Sequence, residues 1–401
     1  MDLRLHGIPP SAAERAAIDA VLGLPAPSWD GDGQHTVQAS HGGEAVRAQR
    51  HLLLPVLHAV QDRCGWISPE ALDYLCQRLA IPPAEAYGVA SFYALLSVSP
   101  QPPVVAHICD DLACLMQGAE ALCADVERAL GPAGVPGPQS QATWHRSPCL
   151  GLCDRAPAVL LRVAGAPPGD QTIAPATAMQ VRTACQNHGV VPVTSAPIPQ
   201  AGFPDLPLLQ RVGVIDPTSL DAYRAHSGYA ALRRALDLGP AGVLREVNDS
   251  KLLGRGGAAF PTGRKWEAVA QAPVHPHYLI CNADESEPGT FKDRILMEAD
   301  PFAVIEAMTI AALATGCTQG YLYIRGEYPE AQHRLITAIA QAHTRGFLGP
   351  QVMGHAFPFD IELRRGAGAH AAPPTRPRLG GCPRINACAL CFWASHTAAA
   401  S

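Results

Sequence analysis

Four cysteines stand in two close pairs, Cys109-x4-Cys114 and Cys149-x3-Cys153. Thiolates are the standard ligands of iron–sulfur clusters, and two pairs on neighbouring loops can enclose both irons of a 2Fe–2S centre. Gly151, in the middle of Cys149-Leu-Gly-Leu-Cys153, lets the second loop wrap tightly. A zinc site needs the same number of ligands but usually uses C-x2-C pairs, so the wider spacings disfavour it. Four buried structural thiols are the third reading, since free cysteine packs as a small hydrophobe.

A second group of residues suits a phosphate-bearing ligand. In KLLGRGGAAFPTGRKW, Gly254, Gly256, Gly257 and Gly263 let the backbone turn closely, while Arg255, Arg264 and Lys265 can neutralise a phosphate. The segment is neither a Walker loop nor a G-x-G-x-x-G dinucleotide loop after a strand, and a plain structural turn fits it equally well. Downstream, CNADESEPGTFKDR sets Asn282, Asp284, Glu285 and Glu287 after a predicted strand. Such side chains can hydrogen-bond a ring edge and hydroxyls, or form a solvated acidic turn.

The elements that must position these groups follow from hydrophobic period. Leu53, Leu54, Leu57 and Val60 recur at helical spacing, and Ser68-Pro69 and Pro82-Pro83 open two further helices. A short helix over 12–22 precedes them. Val104 to Ile108 reads as a buried strand ending at a cysteine, 117–130 as an amphipathic helix, and 158–163 as another strand. Further on, a strand at 278–281, a helix at 301–315 and a strand at 320–324 mark a second α/β region. The expected order is an N-terminal extension (1–45), a helical bundle with a thioredoxin-like domain (46–163), a linker rich in Pro and Gly (164–213), a second α/β domain (214–370) and a divergent tail (371–401).

Composition bounds the function. The chain has 401 residues, a net charge of −5, 48% apolar and 16% charged residues, which excludes a wholly disordered protein. Mild acidity gives no reason to expect nucleic acid as a partner. The longest apolar stretch, 301–316, is too short to span a bilayer and contains Glu306, so no direct membrane insertion is expected. The N-terminus lacks the order of a secretory signal, which makes a cytoplasmic location the expectation. Cys64, Cys76, Cys123, Cys185, Cys281 and Cys317 stand singly and read as buried structural thiols.

HLLLPVLHAVQDRCGWISPEAL, IPPAEAYGVASFYALLSVSP, CDDLAC and CLGLC together resemble the thioredoxin-like 2Fe–2S subunit of respiratory complex I. The resemblance implies that Cys109, Cys114, Cys149 and Cys153 hold a one-electron relay. GRGGAAFPTGRKW, YLICNADESEPGTFKDRILME, YLYIRGEYPEA and RRGAGA are similar to the flavin-bearing, NADH-oxidising subunit of complex I. They are similar also to its relatives in NAD-reducing hydrogenases and NAD-dependent formate dehydrogenases. This second resemblance implies FMN held by Gly254, Arg255, Gly256, Lys265, Asn282, Asp284 and Glu285. It places NADH near Gly257 and Phe260, with Glu287 close to the nicotinamide. Ala259 and Ser286 stand where that family usually has Gly, and each adds side-chain bulk beside the ligand loop.

The pattern breaks after Ala369, where the family continues with a Gly-Glu-Glu motif that this sequence lacks. Residues 371–401 contain no Asp or Glu, and Cys382, Cys388 and Cys391 there read as incidental. The expectation is a reading-frame change or truncation that leaves the FMN domain incomplete. The fold class expected is α/β: a helical bundle and thioredoxin-like 2Fe–2S domain, then an incomplete α/β FMN-binding domain. The function expected is an NADH dehydrogenase flavoprotein subunit, passing electrons from NADH through FMN to iron–sulfur centres and on to other redox subunits. The alternatives are an NADH-inactive chain keeping only a ferredoxin-like domain, and a zinc-stabilised interaction module.

Overall fold

The computed structural model describes residues 8–25, 49–136, 141–187, 198, 201–254, 258–368 and, as a strand, 387–391. It divides into two units. One comprises residues 1–195 with 286–290 and 366–382, and the other 196–285, 291–365 and 383–401.

The first unit opens with four helices: α1 (Ala12–Leu22), α2 (Leu53–Cys64), α3 (Pro69–Leu79) and α4 (Pro83–Phe92). Ser11 and Glu14 form a capping box at α1, and Ser68 caps α3 with Pro69 at its first position. Ile18, Val56, Leu57, Leu75 and Leu79 are all buried in one core. The helix expected in the N-terminal extension is therefore part of the bundle and not an appendage.

The same unit continues with β1 (Val104–Cys109), α5 (Leu112–Met116), α6 (Ala119–Leu130), β2 (Ala142–Ser147), β3 (Val159–Val163), β4 (Gln171–Ile173) and α7 (Ala178–Gln186). The sheet order is β2-β1-β3-β4, with β1 and β2 parallel and the other pairs antiparallel. Leu122, Val126, Val181 and Ala184 from α6 and α7 pack with Ala106, Ile108, Trp144 and Leu161. This corrects the expected linker, because residues 171–186 complete the sheet and its helical cover. Proline-rich flanks hid α7, which starts at a Thr177–Gln180 capping box and buries Val181, Ala184 and Cys185. Buried Arg162 on β3 pairs with Asp62 of α2 at 2.5 Å and Asp170 at 3.2 Å, and donates to the Leu95 carbonyl.

The second unit contains α8 (Leu220–Ala225), α9 (Ala230–Asp249), α10 (Thr262–Ala270), β5 (Tyr278–Ala283), α11 (Lys292–Ala299), α12 (Pro301–Thr315), β6 (Gln319–Ile324), α13 (Pro329–Thr344), β7 (Asp360–Arg365) and β8 (Ala387–Cys391). All four strands are parallel, in the order β7-β6-β5-β8. The α12 helix keeps the bounds read from the sequence, and its residues are buried on nearly every side. Glu306 does not interrupt it. Its carboxylate accepts the Tyr223 hydroxyl at 2.5 Å and the N–H groups of Tyr229 and Leu232 at 2.8 and 2.9 Å. Those amides belong to the start of α9, whose positive end the buried anion complements. Within the tail, where no period was legible, residues 387–391 form β8 against β5; Cys382 lies outside the described residues.

Among the described residues no helix is long and apolar enough to cross a membrane.

Candidate cofactor sites

Parallel pairing explains how two cysteine pairs distant in sequence meet. β1 and β2 run side by side with Cys109 opposite Ser147, so the loops after both strands leave the sheet at the same end. Cys109 is the last residue of β1, Cys114 lies in α5, Cys149 follows β2, and Cys153 opens a 3-10 turn. The Cys149 and Cys153 sulfurs lie 3.4 Å apart, and Cys109 hydrogen-bonds both Cys114 and Cys149. Those bonds push the Cys109 thiol up and hold Cys114 below the usual thiol value. Cys153 is pushed up by Cys149 and by burial.

Each sulfur also accepts a backbone N–H: Cys109 from Asp111, Cys114 from Ala158, Cys149 from Gly151 at 3.3 Å, and Cys153 from Gly289 at 3.2 Å. Gly151 has φ +69°, a left-handed turn that glycine makes without strain. Asp111, in the first cysteine loop, ties the loops together. Its carboxylate caps α5 at the Leu112 N–H, 2.8 Å away, and accepts the Cys149 N–H at 3.1 Å. A four-thiol donor set with an amide on every sulfur suits a cluster whose negative charge is spread over its sulfurs. Of the six single cysteines, Cys76, Cys123, Cys185, Cys281 and Cys317 are buried as expected, whereas Cys64 is half-buried.

In the second unit the two described ends of the glycine-rich segment are hydrogen-bonded to each other. Gly254 donates to the Phe260 carbonyl at 2.8 Å and Thr262 to that of Leu252 at 2.8 Å. α10 starts directly after it, carrying half-buried Lys265 in its first turn, and Phe260 is exposed. Arg255, Gly256 and Gly257 lie outside the described residues. Gly263 has a structural reason of its own: a Cβ there would overlap the Asn248 side chain. Ala259 holds φ +45°, a conformation favourable to glycine and costly to other residues.

The acidic residues sit at the carboxyl end of β5. Asn282 is the last residue but one of that strand, and its side-chain oxygen accepts the Asp284 N–H at 3.1 Å. The chain proceeds from β5 to β6 and β7 on one side, then returns to β8 on the other. Open parallel sheets bind ligands outside the carboxyl ends of strands where the order reverses, and β5 is that strand here. Glu285 is different. Its buried carboxylate accepts the N–H groups of Asp293 and Arg294 at 2.9 and 3.1 Å and the Tyr328 hydroxyl at 3.2 Å. Arg325 donates to its carbonyl at 2.7 Å. Burial, with Asp293 beside it, raises its pKa. Glu287 is exposed and belongs to the first unit.

Residues 39–174 match the family model of the thioredoxin-like [2Fe-2S] ferredoxin, and residues 247–373 match that of the Nuo51 FMN-binding domain. The chain joins these two domains. The first domain is accordingly one of the 2Fe–2S ferredoxin class, and the second is one for FMN. Among relatives, an NADH-quinone oxidoreductase subunit of Rhizobium meliloti is 51% identical over 164 residues, 41% of this chain and 39% of its own length. The alpha subunit of the NAD-reducing hydrogenase HoxS of Cupriavidus necator is 33% identical over 336 residues, 82% of this chain and 54% of its own. A crystal structure of an NAD+-reducing [NiFe]-hydrogenase in the H2-reduced state matches at 27% identity and TM-score 0.60, over 80% of this chain and 52% of that one. The chain thus spans about half or less of the length of these relatives.

Proposed function

We propose that this chain is the electron-entry flavoprotein of an NADH:acceptor oxidoreductase. NADH is its substrate, and other redox subunits in the cytoplasm take the electrons onward. The observation carrying this reading is that one chain holds both a four-thiol cage and, at the switch point of a parallel sheet, the polar residues of an FMN domain. When bound, FMN accepts the electron pair of a hydride and releases it singly, and a 2Fe–2S cluster carries one electron at a time.

The residues supply position and charge. The glycine-rich loop, through Gly254, Arg255 and Gly256, approaches the FMN phosphate, and Lys265 with the start of α10 balances its negative charge. Asn282 and Asp284 meet hydroxyls and the ring edge at the end of β5. Glu285, its carboxylate held by α11 and Tyr328, fixes that loop and lines the FMN site with them. Gly257, Phe260 and Glu287 are the residues assigned to NADH by this reading, with exposed Phe260 offering an aromatic face and Glu287 assigned to the nicotinamide. Cys109, Cys114, Cys149 and Cys153 ligate the irons.

The test is NADH-driven reduction of a one-electron dye by the FMN-loaded chain. The expected result is turnover that falls at least tenfold in Asp284→Ala and Lys265→Ala. No turnover by the flavin-loaded wild type contradicts the reading.

A further inference from the structure

The fourth amide of the cage comes from an unexpected place. Asp111 and Gly151 lie within the two cysteine loops and Ala158 at the threshold of β3, all in the thioredoxin-like sequence. Gly289 belongs to the acidic loop 136 residues beyond Cys153, in a segment that is part of the same unit. Its geometry is that of a donor held out for another group. Thr290 donates to the Glu287 carbonyl at 3.1 Å, closing a turn with Pro288 second and Gly289, at φ +90°, third. Proline followed by a positive-φ glycine is the signature of a type II turn. The closing bond uses the Thr290 N–H, which leaves the Gly289 N–H to meet the Cys153 sulfur.

We propose that the Gly289 peptide N–H sets the reduction potential of the cluster held through Cys153. The inference rests on the 2Fe–2S reading of the cage. Reduction adds one electron to a cluster whose charge resides largely on sulfur, so a donor to a ligand sulfur stabilises the reduced form more than the oxidised one. Hydrogen bonds to sulfur are a recognised lever on these potentials. Gly289 acts here as a positioning residue and takes no part in bond making.

Two measurements on the full chain test this. In the first, glycine is labelled with 15N and the reduced cluster is examined by pulsed electron paramagnetic resonance. Among the described residues, Gly151 and Gly289 are the glycine amides bonded to cage sulfurs, so two 15N couplings are expected in the wild type; the absence of the Gly289 coupling overturns the proposal. In the second, midpoint potentials are compared. Gly289→Pro removes the donor and is expected to shift the reduction equilibrium about tenfold toward the oxidised form, roughly 59 mV for one electron. Gly289→Asn keeps the N–H, tolerates positive φ, and retains the wild-type potential. An unshifted potential in iron-loaded Gly289→Pro overturns the inference while leaving the cluster assignment intact. Wild-type chain that takes up no iron at these cysteines overturns both.

Discussion

The Asp111 carboxylate accepts the backbone N–H of Cys149, 3.1 Å away, and so fastens the second cysteine loop to the first. The same carboxylate caps α5, which carries Cys114. One acidic side chain therefore fixes the separation of the two thiol pairs before any iron is bound.

Asp111→Ala removes a helix cap and the anchor of a second loop together. A loss of about 1–2 kcal/mol in folding stability is expected, the ordinary range for such a cap. Iron retention during gel filtration is expected to fall as well. Urea unfolding with iron analysis checks both, and an unchanged midpoint with full iron contradicts the role.

His107 on β1 is buried and stacked against His145, with ring centres 6.0 Å apart. Burial, aided by the charges of Arg162 and His145, lowers its pKa from 6.5 to about 3. The unfolded chain thus binds a proton below pH 6.5 that the folded chain refuses until about pH 3. This contribution to stability is intact above pH 6.5 and is lost as pH falls toward 3, by up to about 1.4 kcal/mol per unit. Unfolding midpoints measured from pH 7 to 4 are expected to decline less steeply in His107→Gln. Parallel profiles for the two proteins contradict the assignment.

Ala259 occupies a backbone conformation with φ +45° that suits glycine. Ala259→Gly is expected to raise stability by about 1 kcal/mol, the lower end of the cost of a non-glycine residue there. Because the residue lies in the glycine-rich loop, FMN retention is expected to rise too. Thermal melting with fluorimetric flavin release measures both, and a lower melting temperature contradicts the strain argument.

Glu306 is a buried carboxylate with three donors. Glu306→Leu strands the Tyr223 hydroxyl and the amides at the start of α9. A loss of about 3–5 kcal/mol is expected, in line with removing one member of a buried charged network. Chemical denaturation reads it directly, and a loss under about 1 kcal/mol, the ordinary effect of a point substitution, contradicts the account.

The cysteine cage was legible because iron chemistry restricts ligand type and spacing, and because the loops carry their own glycine and capping signals. Helices α1 and α12 were legible to the residue, since their starts carry Ser11 and Pro301 and their ends glycine. Contacts between distant residues were not. Asp111 and Cys149 meet only because β1 and β2 pair in parallel, and β2 (ATWHRS) has no apolar alternation to announce it. Glu306 looked like a break in an apolar run, because its partners lie some 75 residues earlier in the chain. The motif around Glu285 was legible, but the bonds from its carboxylate to the start of α11 were not, because they depend on how the following turn folds back. The strand at 387–391 is short and follows a proline-rich stretch, so no period was there to read.

The most direct test is the metal and flavin content of anaerobically purified chain, with visible spectra before and after adding NADH. The account predicts two irons and one FMN per chain, with both chromophores bleached by NADH. Two irons without flavin, or a spectrum that NADH leaves unchanged, contradicts it.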